Sequence, residues 1–380
     1  MSLRHASLAL LWHRPDAALF EAQGIFRPQA GGPIPYVHGG AIATMLDTLL
    51  GQCCFLNGTL GLTESLDVRY RGSVPLHREV PARPPRLCSA DDLRISRGAV
   101  QGTAVLMRAA VLKVEQHKVY IEGELSDGAS GQVYATAKGL FIMSAALPLR
   151  SPEMIATLNR STLVESARPR VVPIGPPPAA ILSVPRTATA AAMLQQDCGW
   201  ALDNQRIESP ASAAAYAKHG LSQYVKGSHR LRQDCCWHAS TKSFVVVYAF
   251  YRHCMGPPGL VHGGCLFACL DDAITRLLFS RAVTDLGAKG GLMLTASMQL
   301  DFKAGVKLDA EYCVDVRIAD VAHDRKGRRR YTITAALRDP ATCAETGAEH
   351  EARVVGSAVF VETPTPWAGQ IGGLAPAAAL

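Results

Sequence analysis

The clearest pattern of apolar positions along this chain is helical, and it occurs twice. In the first stretch the apolar side chains recur at intervals of three and four residues, which places them on one helical face: Ile42, Met45, Leu46, Leu49 and Cys53. Neighbouring positions are also apolar, so a helix buried on nearly all sides is expected. A second helix of the same character is predicted from residue 265 to about residue 280.

Short runs typical of β-strands surround each helix, separated by Gly, Pro and Asp turn signals. In the first half, strands are predicted at residues 17–28, 65–71, 112–114, 118–125 and 133–143. In the second half, they are predicted at residues 244–252, 294–303, 311–319, 330–337 and 353–362. Each half therefore predicts the α+β class, with one antiparallel sheet wrapped around one long buried helix.

The same tetrapeptide, Val-His-Gly-Gly, precedes both helices. His38 and His262 are each followed nine residues later by an Asp, Asp47 and Asp271, and both pairs are offset by 224 residues. A repeat at this distance indicates two duplicated domains rather than an array of short repeats.

The duplication sets the predicted domain boundaries. The first domain covers residues 1–145, with an insertion at about 81–110, and the second covers residues 234–365. Between them, residues 146–233 are rich in Pro and Ala and read as a linker with a few helical turns. Residues 366–380 form a tail.

Composition agrees with a protein of this kind. A chain of 380 residues with 48% hydrophobic content can form two or three domains with their own cores. No apolar run approaches the roughly 20 residues that span a bilayer, so no membrane span is expected. The N-terminal segment falls short of a secretory signal, which leaves a cytoplasmic or mitochondrial location open.

The net charge of +7 is spread along the chain except for one basic run, residues 325–330. This run reads as a solvated turn between two strands, and no nucleic-acid motif accompanies it, so no nucleic-acid partner is predicted. Five side chains could be combined into a metal site on paper: Cys235, Cys236, His238, His253 and Cys254. Their spacing matches no known ligand pattern, and no metal site is predicted.

Two glycines at the start of a helix suit the binding of a developing negative charge. The first N–H groups of a helix have no intrahelical partner, and the helix dipole adds partial positive charge there. Gly39 and Gly40, and likewise Gly263 and Gly264, are therefore candidates for an oxyanion hole. A tight turn from loop to helix is the simpler explanation, but it accounts less well for the repetition.

Asp47 and Asp271 lie about two helical turns further on, where an unpaired carboxylate is costly. A carboxylate beside a cleft could act as a general base on water or attack a carbonyl as a nucleophile. Pairing with a buried polar group is the alternative. For the neighbouring Asp272 a structural role is favoured, because the nine-residue offset selects Asp271.

These features together resemble the hotdog-fold acyl-CoA thioesterases, in tandem double-hotdog form. The resemblance rests on the phrase GPPGLVHGG at residues 256–264 with Asp271, on residues 63–71, and on residues 133–141. It implies two tandem hotdog domains and hydrolysis of acyl-CoA to a free acid and coenzyme A. No cofactor is implied, since coenzyme A is part of the substrate.

The resemblance also assigns roles to individual side chains. Thr63 and Thr295 fall where the family has a hydroxyl near the attacking water. Arg69, Arg71 and Lys303 fall where relatives contact coenzyme A, and basic side chains suit its phosphates. His38 and His262 are expected to position the loop or orient the substrate.

In the hotdog family an active site forms between two protomers. The resemblance therefore implies that Gly39 and Gly40 serve Asp271 and Thr295, and that Gly263 and Gly264 serve Asp47 and Thr63. The chain would be an internal pseudo-dimer, and further association into a higher homo-oligomer stays open.

Three positions depart from the family pattern. Relatives often carry Asn or Gln six residues before the His, where this chain has Gly32 and Gly256. Asp301 is acidic where a neutral or basic side chain is usual.

Two other functions on the same fold are kept as alternatives. A non-catalytic acyl-CoA sensor would bind thioesters without needing a carboxylate near them. A hydratase or dehydratase would need a His and an acid at the acyl β-carbon, which the nine-residue spacing suits poorly. Serine hydrolysis and nucleotide hydrolysis are excluded because the GxSxG and GxxxxGK[ST] motifs are absent.

Overall fold

A computed structural model describes most of the two predicted domains. The described residues are 6–14, 19–26, 30–32, 36–56, 61–76, 103–143, 186–195, 200–202, 231–238, 240–241, 243–285, 291–342 and 352–366. Most of the predicted insertion, most of the predicted linker and the tail beyond residue 366 lie outside them. The chain forms two compact units, chiefly Met1–Thr63 with Val68–Arg168, and Pro169–Lys218 with Val225–Leu380.

The described residues of the first unit form one long helix and six strands. These are β1 (Ala6–Arg14), β2 (Leu19–Phe26), α1 (Gly39–Leu56), β3 (Gly61–Tyr70), β4 (Thr103–Glu115), β5 (Lys118–Ser126) and β6 (Val133–Met143). Its strands follow the order β1-β2-β4-β5-β6-β3. The neighbours from β1 to β6 pair antiparallel.

The described residues of the second unit form two α-helices and seven strands. These are α2 (Ala188–Gln195), β7 (Trp200–Leu202), β8 (Arg232–His238), β9 (Ser243–Phe250), α3 (Gly263–Asp285), β10 (Gly291–Phe302), β11 (Ala310–His323), β12 (Arg329–Arg338) and β13 (Val354–Pro366). Its strand order is β10-β13-β12-β11-β9-β8-β7, with every pair antiparallel.

The two sheets repeat one strand order. Strands β8 to β13 occupy the places of β1 to β6 in turn, and α3 occupies the place of α1. The second sheet differs by the extra edge strand β7. The prediction of the α+β class, with a long helix packed against an antiparallel sheet in each half, is confirmed.

Each long helix is buried against its sheet. Helix α1 contacts β2, β4, β5 and β6, and α3 contacts β9, β10, β11 and β12. The side chains of Met45, Leu46 and Leu49 have no exposed surface. Burial of each such side chain stabilises the fold by about 1.5–3 kcal/mol, which is why the period of apolar residues dictates a buried helix here.

Two elements differ from the sequence-based boundaries. The N-terminal segment, compared above with a secretory signal, contains strand β1, which pairs with β2. The predicted insertion ends too late, because residues 103–110 belong to strand β4 and alternate between buried and less buried positions. No helix within the described residues is long and apolar enough to cross a membrane.

Part of the predicted linker packs on the second unit as helix α2. Its first turn is capped by two carboxylates from distant strands. Asp234 Oδ2 accepts hydrogen bonds from the Arg186 N–H at 2.7 Å, and from the Thr187 N–H and hydroxyl at 2.8 Å each. Glu311 accepts from the Ala188 N–H at 3.0 Å, and from the Thr189 N–H at 2.8 Å and hydroxyl at 2.7 Å.

The cap places α2 over an apolar patch of the second sheet. Two side chains of the helix and four of the sheet form one buried cluster: Ala190, Met193, Cys236, Val245, Val247 and Cys313. All eight residues of β9 are buried as a result. On the first sheet, the corresponding face of β2 and its neighbours instead carries an ion-pair network, in which Arg108 lies 2.7 Å from Glu21 and 3.8 Å from Glu124.

Replacing Asp234 with Ala should destabilise the second unit by about 2–4 kcal/mol, because two backbone N–H groups and a buried hydroxyl lose their acceptor. Urea unfolding of the full chain measures the loss. Asp315→Ala, which removes an ion pair to the half-exposed Arg317, is the control and should cost less than about 1 kcal/mol. Equal losses in the two variants would contradict the assigned role of Asp234.

Glu311 should make the docking of α2 dependent on pH. Partial burial alone would raise the pKa of this carboxyl, but the hydrogen bonds from Thr189 and Ala188 outweigh burial and hold the pKa below its usual value of 4.5. Its contribution to stability is therefore complete above pH 4.5 and is lost as the pH falls through the folded-state pKa. In urea unfolding, the stability difference between the wild type and Glu311→Gln should be larger at pH 7 than at pH 3; a constant difference would count against this.

Candidate active site

A histidine caps each long helix directly before the glycine pair. The His38 carbonyl accepts hydrogen bonds from the Ala41 N–H at 3.0 Å and the Ile42 N–H at 3.2 Å. Its ring Nδ1 accepts from the Gly40 N–H at 2.9 Å. His38 is thus the N-cap of α1, and an imidazole nitrogen takes the place of the usual side-chain oxygen.

The second copy repeats this cap. The His262 carbonyl accepts from the Leu266 N–H at 3.1 Å, and its Nδ1 accepts from the Gly264 N–H at 3.0 Å. An Nδ1 that accepts a hydrogen bond belongs to a neutral ring protonated on Nε2. In each copy the histidine ring therefore orients the second glycine.

The first glycine of each pair points its N–H away from the helix. A trans peptide unit directs its C=O and N–H in opposite directions. Because the His38 carbonyl points into α1, the Gly39 N–H points out of the helix N-terminus, and the same holds for Gly263. No loop carbonyl or side chain among the described residues accepts from either N–H. Each copy thus presents an outward donor at the positive end of a helix dipole.

Each buried aspartate is hydrogen-bonded to a threonine of the following strand. Asp47 and Asp271 are 4% and 2% exposed. The Thr63 hydroxyl donates to Asp47 Oδ1 at 3.1 Å, and the Thr295 hydroxyl donates to Asp271 Oδ1 at 3.0 Å. These bonds offset part of the cost of burying a carboxylate. The structure brings together each Asp and Thr that the sequence assigned to one site.

Gly32 and Gly256 have a steric reason to lack a side chain. A Cβ atom at either position would lie 2.8 Å from the backbone Cα of His38 or His262, respectively. Their N–H groups are also engaged, because each donates at 2.9 Å to a carbonyl four residues later, on Tyr36 or Leu260. Neither glycine therefore supplies a backbone donor in place of the Asn or Gln of relatives.

The basic side chains assigned to coenzyme A lie on the surface. Arg69 and Arg71 are exposed at the end of β3, and Lys303 is exposed just after β10. Lys303 Nζ lies 3.8 Å from Asp301 Oδ2. Asp301 thus partly neutralises the charge of Lys303, the basic side chain of the second half that was assigned to coenzyme A.

Asp272 has a structural partner, as expected from its neighbour's role. Its carboxylate accepts from Arg276 Nε at 2.6 Å and from the Tyr248 hydroxyl at 2.9 Å, all in the interior. Burial opposes the charge of Arg276, but the Asp272 carboxylate outweighs it and raises the pKa of the guanidinium well above its usual value. The ion pair lies within α3, and the hydrogen bond from Tyr248 connects it to β9.

Buried thiols near the second glycine pair do not supply a nucleophile. Cys265 and Cys269 are fully buried, and burial raises the pKa of both thiols above the usual value of 9.0. They stay protonated at neutral pH, and a protonated thiol is a poor nucleophile. Among the described residues there is also no cluster of His, Cys, Asp or Glu that could hold a metal ion.

Tyr70 also contacts the first glycine pair, which the sequence did not predict. Its hydroxyl donates to the Gly39 carbonyl at 2.9 Å, so the end of β3 contacts the glycine pair. The only signal in the sequence was a difference between the halves, because the equivalent residue after the second helix is Phe302.

Comparison with known proteins finds a match between part of this chain and one family model. Residues 258–325 match the family model described as the thioesterase superfamily. This range contains Gly263, Gly264, Asp271 and Thr295.

Solved structures of similar length include several thioesterases. The tesB protein of Mycobacterium avium subs paratuberculosis is 9% identical with a TM-score of 0.47, covering 90% of this chain and 93% of that chain. Acyl-CoA thioesterase II TesB2 from Mycobacterium marinum is 11% identical with a TM-score of 0.43, covering 93% and 96%. A hot dog fold protein of unknown function from Alicyclobacillus acidocaldarius is 12% identical with a TM-score of 0.44, covering 93% and 96%. Identities this low carry no information on substrate.

Replacing His38 with Ala should lower the free energy of unfolding by about 1 kcal/mol, because the Gly40 N–H loses its acceptor. His38→Asn should retain most of the stability, since an Asn oxygen is an effective N-cap. Urea unfolding of both variants separates capping from simple loss of packing. If Asn proved as destabilising as Ala, the ring nitrogen would not be acting as a cap.

Proposed function

We propose that this hotdog-fold protein of the thioesterase superfamily hydrolyses acyl-CoA thioesters to a carboxylic acid and coenzyme A. The observation that carries the proposal is an arrangement that occurs twice. A buried Asp of a long helix is hydrogen-bonded to a Thr of the following strand, and the N-terminus of the same helix presents an outward glycine N–H. A structural cap alone would need the glycines and not the buried carboxylate.

The glycine N–H would polarise the thioester carbonyl. Gly39 and Gly263 are the donors in this proposal, since the N–H groups of Gly40 and Gly264 donate to the histidine rings. As the carbonyl carbon becomes tetrahedral, its oxygen gains negative charge, which the N–H and the helix dipole stabilise. Gly40 and Gly264 would hold the preceding peptide through their bonds to the histidine rings.

The aspartate would supply the attacking group in one of two ways. As a general base, Asp47 or Asp271 takes a proton from a water that attacks the thioester carbon; the C–S bond then breaks, and the proton held by the Asp passes to the leaving sulfur of coenzyme A. As a nucleophile, the carboxylate attacks that carbon itself, expels the coenzyme A thiolate and forms an anhydride, which water then hydrolyses to the free acid and the carboxylate. In either route Thr63 or Thr295 donates a hydrogen bond to the carboxylate and keeps lone pairs that orient water.

Distance within one helix separates each glycine from the aspartate that follows it. Asp47 lies eight residues beyond Gly39, about 12 Å along the helix axis at 1.5 Å per residue. One thioester group cannot contact both, so the glycine and the aspartate of one helix would not act on the same carbonyl.

The exposed cations Arg69, Arg71 and Lys303 would bind the phosphates of coenzyme A. Because Lys303 has Asp301 nearby, we expect its contribution to be the weakest of the three. His38 and His262 would hold the glycine peptides and in this way orient bound substrate.

The test is thiol release from a panel of short-, medium- and long-chain and aryl-CoA substrates. Asp47→Asn and Asp271→Asn should each keep the turnover of the remaining site. The double variant should lose kcat by about 10²–10⁴-fold, the contribution expected of a general base.

Asp320→Asn, an exposed carboxylate on β11, is the matched control and should leave kcat unchanged. Full activity in the double variant would remove both aspartates from the mechanism. Saturable acyl-CoA binding without thiol release by the wild type would favour a non-catalytic acyl-CoA sensor instead.

A further inference from the structure

We propose that Tyr70 is a positioning residue that makes the site served by the first glycine pair faster than the site served by the second. The inference rests on the proposed function. The repeated motif alone would give the two sites the same turnover, and Tyr70 would make their turnover differ.

The peptide unit between Gly39 and Gly40 is held at both ends. The Tyr70 hydroxyl donates to the Gly39 carbonyl at 2.9 Å, and the Gly40 N–H donates to His38 Nδ1 at 2.9 Å. The preceding peptide unit is held through the His38 carbonyl, which accepts from Ala41 and Ile42. The backbone on both sides of Gly39 Cα is therefore fixed, and with it the direction of the Gly39 N–H.

The second copy lacks one of these restraints. Phe302 occupies the position of Tyr70, at the offset of 232 residues that also relates Thr63 to Thr295. The register is supported by the backbone, because Val37 N–H donates to the Val74 carbonyl at 2.9 Å and Val261 N–H donates to the Val306 carbonyl at 2.8 Å. Phe302 has no hydroxyl and cannot donate to the Gly263 carbonyl.

The missing bond matters because of the residue type that it restrains. Glycine has the largest backbone freedom of any residue, so a glycine donor that has one restraint fewer must be ordered further as the transition state forms. A donor that is already oriented stabilises the developing charge without this cost. The two caps also differ in exposure, since His38 is 5% exposed while His262 is only partly buried.

The test places Tyr70→Phe in two backgrounds, Asp47→Asn and Asp271→Asn, each of which leaves one competent carboxylate. We expect the variant to lower kcat for acyl-CoA by about three- to tenfold in one background only, the range that one hydrogen bond allows. KM should change less than about twofold there.

Tyr120→Phe is the control for loss of a hydroxyl elsewhere in the same unit, because Tyr120 is hydrogen-bonded to Glu115 at the β4–β5 turn. It should leave kcat unchanged in both backgrounds. Thermal unfolding is recorded for every variant, and a purely structural effect of Tyr70→Phe would lower Tm and kcat alike in both.

An equal loss of kcat in both backgrounds, or no loss in either, would overturn the positioning role. A loss confined to either one of the two backgrounds would support an unequal pair of sites. A wild type that releases no thiol from the panel would refute the proposed function itself, and that result is separate from these outcomes.

Discussion

The hydrogen bond from the second glycine N–H to the histidine ring is the constraint on which the rest of each candidate site depends. A helix that starts inside a protein must find acceptors for its first N–H groups. His38 and His262 supply two acceptors each, the carbonyl and Nδ1. This arrangement uses the N–H of Gly40 or Gly264 for capping, so the outward N–H comes from the residue before it.

The same constraint explains why side chains are absent around the cap. The loop before each histidine folds back so closely that a Cβ atom on Gly32 or Gly256 would collide with the histidine backbone. Glycine before the histidine therefore permits this close approach of the loop.

Duplication preserved this cap and the buried Asp–Thr pair, while residues around them diverged. Where the second half has Asp272 in a buried ion pair with Arg276, the first half has Thr48, whose hydroxyl bonds the Thr44 carbonyl of its own helix. The outer faces diverged as well. The first sheet carries a charged network around Arg108, whereas the apolar patch of the second is covered by α2. The charged side chains of the first sheet face solvent, and the apolar side chains of the second sheet face helix α2, so each face suits its surroundings.

The sequence by itself determined the elements and the repeat. Apolar spacing predicted both long helices, because burial of one face leaves a periodic trace in the residues. It also singled out the glycine pairs, Asp47 and Asp271, because their spacing recurs. The resemblance supplied the threonines. These features are local in the chain, or repeated in it, and can be read without coordinates.

Only the tertiary structure decided which groups pair. Asp47 meets Thr63 sixteen residues later, Tyr70 reaches back to Gly39, and Asp234 caps a helix that begins more than forty residues before it. Strand β1 was missed because an edge strand is defined by its partner more than by its own composition. Hydrogen-bond partners depend on which distant segments the fold brings together. The period of apolar residues shows which face of an element is buried, but it does not show which element covers that face.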